Sequence, residues 1–241
     1  DLLSPMDPMF SHFNGKYDEF GALTRNSNCM MYPGMAPWTG QRARDRALKP
    51  AERGVRGSAN MTASNQRALA HTFYGAGADG ISVYNHFVGH LNLPPLYPQT
   101  LQIFYQLRDP QRVARGARHY IFDPTWAAAT VYHPKTRMVV LDRNTCPENS
   151  RRAPKPSGVF AFCVYEQADQ VHGATLMFRG NLTQNDELEV QLNGVPLADG
   201  PLGKPDTRFL GPFPDIRWFP LPPDAIAWGE NELSITLAVA D

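Results

Sequence analysis

The stretch Gly75–His90, GAGADGISVYNHFVGH, constrains the fold more than any other part of the chain. Gly75 and Gly77 end a helical pattern, because glycine takes the left-handed conformation that closes a helix. Asp79-Gly80 makes a turn, and Ile81-Ser82-Val83-Tyr84 is short and rich in strand formers. Helix, tight connection and buried strand follow one another as in a parallel α/β sheet. Asn85 and His86 then stand at the strand's C-terminal end, where such sheets carry their chemistry.

The rest of the first half alternates in the same way. Leu2-Leu3-Ser4-Pro5-Met6-Asp7 reads as a short buried strand ending in a carboxylate, followed by a loop with Phe10, His12 and Phe13 and a short helix near Lys16–Thr24. Cys29–Gly34 is a second strand, with Tyr32 in its polar and aromatic end. Residues 35–60 form a long irregular stretch carrying Trp38 and five arginines, and a loop of that length is usually functional or mobile. Thr62 or Ser64 caps the next helix, in which Leu69, Phe73 and Ala76 fall on one face. A proline-rich loop at Leu93–Pro95 precedes a helix around Gln99–Leu107, which stops before Asp109-Pro110.

From about His119 the segments become short, apolar and separated by turn residues. Candidate strands are Met138–Leu141, Val159–Tyr165, Ala174–Arg179, Glu187–Leu192, Ile216–Pro220 and Glu232–Val239. Glu187–Leu192 alternates polar and apolar, as a half-buried antiparallel strand does, and Asn193-Gly194 behind it is the strongest short hairpin signal. Leu233–Leu237 alternates likewise. The fold class expected is therefore α/β plus all-β, with an α/β domain over 1–125 and a jelly-roll-like antiparallel β-sandwich over 126–241.

The charge balance of 23 basic and 23 acidic residues leaves no electrostatic footprint for nucleic acid or an anionic membrane. No apolar run approaches the length of a membrane span, and no signal peptide opens the chain. The first residue is Asp, which points to a processed or trimmed N-terminus. Cys29, Cys146 and Cys163 form no metal-type pair. A Cys146–Cys163 disulfide and unrelated buried thiols both remain open. Asn60-Met-Thr and Asn181-Leu-Thr match the glycosylation sequon, a pattern too common to fix a compartment.

The strand ends SPMD, MMYPGM and GADGISVYNHF, with the later phrases DELEVQLNGVPL and GENELSITL, resemble bacterial glycoside-hydrolase-like proteins of the (β/α)8 class with an appended β-sandwich. The resemblance implies carbohydrate as the substrate class, no cofactor, and a secreted or periplasmic setting. It also implies a partial, half TIM-type βα barrel, because a complete barrel needs roughly 250 residues before any appended domain. A homodimer, or a missing N-terminal half on a longer chain, would complete it.

Glycosidic hydrolysis usually needs two carboxyl groups flanking the scissile bond. Asp7 is the best-placed acid, base or nucleophile, although an Asp before Pro8 also serves as a turn or cap residue. Asp18 and Glu19 read as a solvated helix face, and no second carboxylate ends a strand. Tyr84, Asn85 and His86 can orient sugar hydroxyls, Asn offering both donor and acceptor. Tyr32, Trp38 and Phe87 can stack on sugar rings or lie in the core. His86 and His90 are four apart, as helical metal ligands would be, but Gly89 and Pro94-Pro95 disfavour a helix there and no HExxH glutamate lies between, so no metal is expected. A non-catalytic carbohydrate-binding or structural module, and a metal-dependent hydrolase or lyase using these two histidines, are the competing readings.

Overall fold

The structure, a computed structural model, describes residues 1–6, 11, 13–42, 58–84, 103–122, 157–180, 187–198 and 215–238. The chain divides into two compact units, Asp1–Phe122 and Asp123–Asp241.

In the first unit β1 (Leu2–Leu3) pairs parallel with β2 (Met30–Met31), and β3 (Gly34–Met35) pairs parallel with β6 (Ser82–Val83). β2 and β3 belong to one extended run. Tyr32 and Gly34 donate their N–H groups to Leu3 and Pro5 on one side, and Asp79, Ser82 and Tyr84 donate to Met31, Pro33 and Met35 on the other. Three parallel segments thus lie side by side in chain order. The ladder is interrupted because Pro5 and Pro33 have no N–H to give. The Ser4 hydroxyl fills one gap by donating to the Tyr32 carbonyl at 2.7 Å, the acceptor left beside Pro5. Met31 and Met35 on the central segment are fully buried. Leu2 (64% exposed) and Val83 (41%) on the outer ones are not, which corrects the expectation of buried strands at both places.

Two helices return the chain between the strands. α1 (Tyr17–Thr24) and α2 (Ala63–Gly75) contact each other, with Tyr17 edge-to-face on Phe73 at 4.7 Å. Thr62 caps α2. Its hydroxyl accepts from the Asn65 N–H while the Asn65 side chain accepts from the Thr62 N–H, a capping box with Asn in the usual Glu position. The expected face is buried, Leu69, Phe73 and Ala76 all lying in the core. At the other end Gly77 adopts φ +97°, with Ala78 N–H donating to Phe73 and Gly77 N–H to Tyr74. This is a Schellman closure.

The described ends of the stretch 35–60, residues 35–42 and 58–60, are less irregular than expected. β4 (Trp38–Arg42) and β5 (Ser58–Asn60) pair antiparallel with an irregularity between Thr39 and Arg42, tying both ends of the segment 43–57. Asp109-Pro110 ends the helical residues 103–107 (α3) and also starts a further helix, α4 (Pro110–Arg115). Its side chain accepts from the Gln111 and Arg112 N–H groups, and Pro110 takes the first-turn place where no donor is needed. Arg118 closes α4 by donating to the Val113, Ala114 and Gly116 carbonyls.

The second unit is antiparallel. β7 (Ser157–Val164), β9 (Glu187–Leu192), β10 (Val195–Leu197) and β12 (Gly229–Ala238) form a sheet in the order β10-β9-β12-β7, and β8 (Ala174–Gly180) pairs with β11 (Asp215–Leu221). Among the described residues its helical structure is limited to 3-10 turns at Ala168–Gln170 and Pro223–Ala225. Val190, Leu192, Leu197, Leu233 and Ile235 of the larger sheet share one core with Phe219 of the smaller. The Asn-Gly hairpin forms as read: Leu192 pairs with Val195, and Asn193 and Gly194 take φ +52° and +79°. Met138–Leu141 and Cys146 lie outside the described residues. The mixed helices and sheets, with a four-stranded antiparallel sheet, match the α/β plus all-β expectation at that level.

Candidate functional site

The carboxyl edge of the parallel segments is where the expected chemistry would sit, and several described residues bind the chain to it. Met6 packs against Gly34, at which a Cβ would come within 2.7 Å of the Met6 Cβ. Buried Ser11 donates its N–H to the Trp38 carbonyl (2.8 Å) and its hydroxyl to the Ala36 carbonyl (2.7 Å). Tyr84 donates its N–H to Met35 at 2.9 Å. Met6, Ser11 and Tyr84 are thereby held at this edge. Asp7, Asn85, His86 and Phe87, and His90 with them, lie outside the described residues.

Three expected contact residues are described, and the structure does not bring them together as one aromatic surface. The register sets Tyr32 level with Gly80, four residues before Ala36, or roughly 13 Å back along the strand. Tyr32 lies across Gly80, where a Cβ would meet its ring at 2.3 Å, so it is not at the strand end as expected. The cause is that pairing continues past Pro33 to Met35. Trp38 does stand beyond the strand end, but it is buried at 5% exposure, which corrects the reading of an accessible stacking ring. Tyr84 is 38% exposed at the edge, and Tyr32 is half-buried.

The described carboxylates of this unit have other duties. Asp79 accepts the Met31 N–H at 2.8 Å at the amino end of the sheet, and Asp109 caps α4. Asp18 and Glu19 are exposed on α1, with Glu19 held by Lys16, as a solvated face requires. No group of three or more His, Cys, Asp or Glu side chains suited to a metal occurs among the described residues, and no described helix is long and apolar enough to cross a membrane.

Sequence reasoning missed the cluster beside this edge. Tyr120 meets Phe13 edge-to-face (centroids 6.4 Å), stacks with Phe122 (6.3 Å), and its hydroxyl lies 3.2 Å from His71 Nδ1. The segment is tied to the first turn of α2: Asn65 Nδ2 donates to the His119 carbonyl and His119 N–H to the Ser64 carbonyl. The His71–Tyr120 and Asn65–His119 partners are about fifty residues apart, and no local pattern announces them.

On the far side of α2, Tyr74 donates its hydroxyl to the Leu107 carbonyl at 2.9 Å. Burial, with Tyr32 and Asp109 nearby, raises its pKa above the ordinary 10.0. The folded state then holds this proton more tightly than the unfolded chain, so its contribution is complete below pH 10.0 and is lost as pH rises through the folded value. Denaturant unfolding between pH 9 and 11 is expected to show stability falling over this range, and Tyr74→Phe to flatten that slope. An unchanged slope in the variant would assign the loss to other groups.

No protein-family model matches the chain, and comparison with curated proteins finds no match.

Proposed function

We propose that the chain is a glycoside-hydrolase-like protein acting on polysaccharide or oligosaccharide, with Asp7 as acid/base or nucleophile and Asn85 and His86 positioning the sugar. The observation that supports this most is the anchoring of Met6, Ser11 and Tyr84, the described residues next in sequence to Asp7 and Asn85, to the stretch Gly34–Trp38 at one sheet edge. Parallel segments in chain order, with α1 against α2, are the winding that a half TIM-type barrel would use. Among the described residues the outer segments pair on one side each, and we propose a second copy of the chain as the partner that covers them. Light scattering would then give the mass of a dimer, and a monomer would refute that part.

The test of the chemistry is turnover on a panel of neutral and acidic polysaccharides, followed by Asp7→Asn. The substitution keeps shape but removes proton transfer, so kcat should fall at least about 100-fold with KM nearly unchanged. Full activity in Asp7→Asn ends the mechanism. The second reading, a non-catalytic carbohydrate-binding module, is favoured by the lack of a carboxylate at this edge among the described residues. It predicts binding without turnover.

A further inference from the structure

The second unit exposes a tryptophan on a backbone held with unusual care. Trp228 is 53% exposed, yet it sits edge-to-face on buried Tyr165, centroids 5.4 Å apart. The residues on either side are clamped by one buried side chain: Asn231 Oδ1 accepts the Ala227 N–H, and Asn231 Nδ2 donates to the Ala227 and Gly229 carbonyls. Asn193 Nδ2 completes the set by donating to Asn231 Oδ1 and to the Ala225 carbonyl. Gly229, at φ +90°, makes the turn that starts β12. An indole needs no such support if it is merely left over at the surface, because a free loop would let it fold down against apolar atoms.

Alternation along β12 puts Glu230 and Glu232 on the face opposite the core residues Leu233 and Ile235, Trp228 stands just ahead of Gly229 where the strand begins, and pairing sets Gln191 and Glu189 of β9 opposite Ser234 and Thr236. The four polar side chains are exposed. One flat apolar ring at the end of a row of hydrogen-bonding groups suits a ligand with apolar C–H faces and hydroxyl edges. Three carboxylates on that row, and no Lys or Arg on it among the described residues, disfavour an anionic one.

We infer that the outer face of the β10-β9-β12-β7 sheet is a binding surface for an uncharged oligosaccharide, with Trp228 as its stacking platform and Gln191 and Glu232 as hydroxyl partners. It rests on carbohydrate as the ligand class proposed above, but it places binding in a unit separate from Asp7. The rigid clamp means that the ring is presented before the ligand arrives, which lowers the ordering cost of binding.

Calorimetric titration of the full chain with cellohexaose, xylohexaose, chitohexaose and oligogalacturonate tests it. At least one neutral hexamer should bind saturably, and oligogalacturonate should bind more weakly than that hexamer. Trp228→Ala should weaken the neutral ligand by about tenfold or more, and Trp228→Phe should retain part of the affinity. Circular dichroism and the thermal midpoint show whether each variant is folded. Failure of every neutral hexamer to bind, preference for oligogalacturonate, or undiminished binding by folded Trp228→Ala overturns the inference. Asp7→Asn keeps the two proposals apart: it should lower kcat at least about 100-fold and leave this binding intact, so failure of the turnover test and failure of the binding test are read separately.

Discussion

Replacing Gly21 by alanine is expected to destabilise the first unit by about 3 kcal/mol, the upper range for forcing an extra group into a packed contact. A Cβ at Gly21 would lie 1.9 Å from the Ala76 carbonyl oxygen and 3.1 Å from its carbon. Both are backbone atoms at the closure of α2, and no rotamer change relieves them. Gly77 faces the same contact, its own added Cβ falling 3.8 Å from the Gly21 Cα, and its φ of +97° holds it to glycine independently. Helix propensity alone predicts the opposite sign, since alanine is favoured over glycine inside a helix by about 1 kcal/mol. Chemical denaturation therefore decides between them by sign. Ala22→Gly, at the exposed neighbouring position, is the control and should cost only the propensity term. A stabilised Gly21→Ala would mean that α1 does not rest on the α2 terminus.

Asn231→Ala is expected to cost the second unit about 3–4 kcal/mol. Four hydrogen bonds of 2.8–2.9 Å end on this fully buried amide, satisfying both lone-pair sites and both N–H groups. Removing it strands the Ala227 N–H, the Ala227 and Gly229 carbonyls and one Asn193 donor. Each unpaired buried group costs about 1–3 kcal/mol, reduced where water reaches it. The thermal midpoint should fall by roughly 10–20 °C. Asn231→Asp keeps the shape but turns a carboxylate towards two carbonyl oxygens at neutral pH. Part of its loss should return as pH falls below about 4 and the acid gains a proton to donate. A loss under 1 kcal/mol in both variants would show that the network is not needed for the fold.

Both positions mark the limit of reading by local pattern. Gly21 is one residue in an eight-residue helix, and Asn231 reads simply as a polar position before an alternating strand. What distinguishes Gly21 is a partner 55 residues away (76 − 21), and Asn231 joins the nearby backbone of Ala227 and Gly229 to Asn193, 38 residues away. The same holds for Tyr32 and Trp38. Aromatic residues near the end of a parallel strand are equally suited to a ligand or to the core. Register put Tyr32 over Gly80, and burial closed off Trp38.

By itself the sequence determined the features that depend on a few neighbouring residues. A cap at Thr62 or Ser64 starts α2, the glycines 75 and 77 end it, Asn193-Gly194 turns the hairpin, and Glu187–Leu192 alternates in the period of a strand, the structure choosing Thr62 and Gly77. In each case the deciding energy is a dihedral preference or a hydrogen bond within a turn, so the residue types suffice. Only the tertiary structure decided that Leu2–Leu3, Met30–Met35 and Ser82–Val83 lie side by side, that Pro5 leaves a carbonyl for Ser4, that 38–42 pairs with 58–60, and that one buried Asn holds Trp228 in the open. Those outcomes depend on which distant surfaces meet.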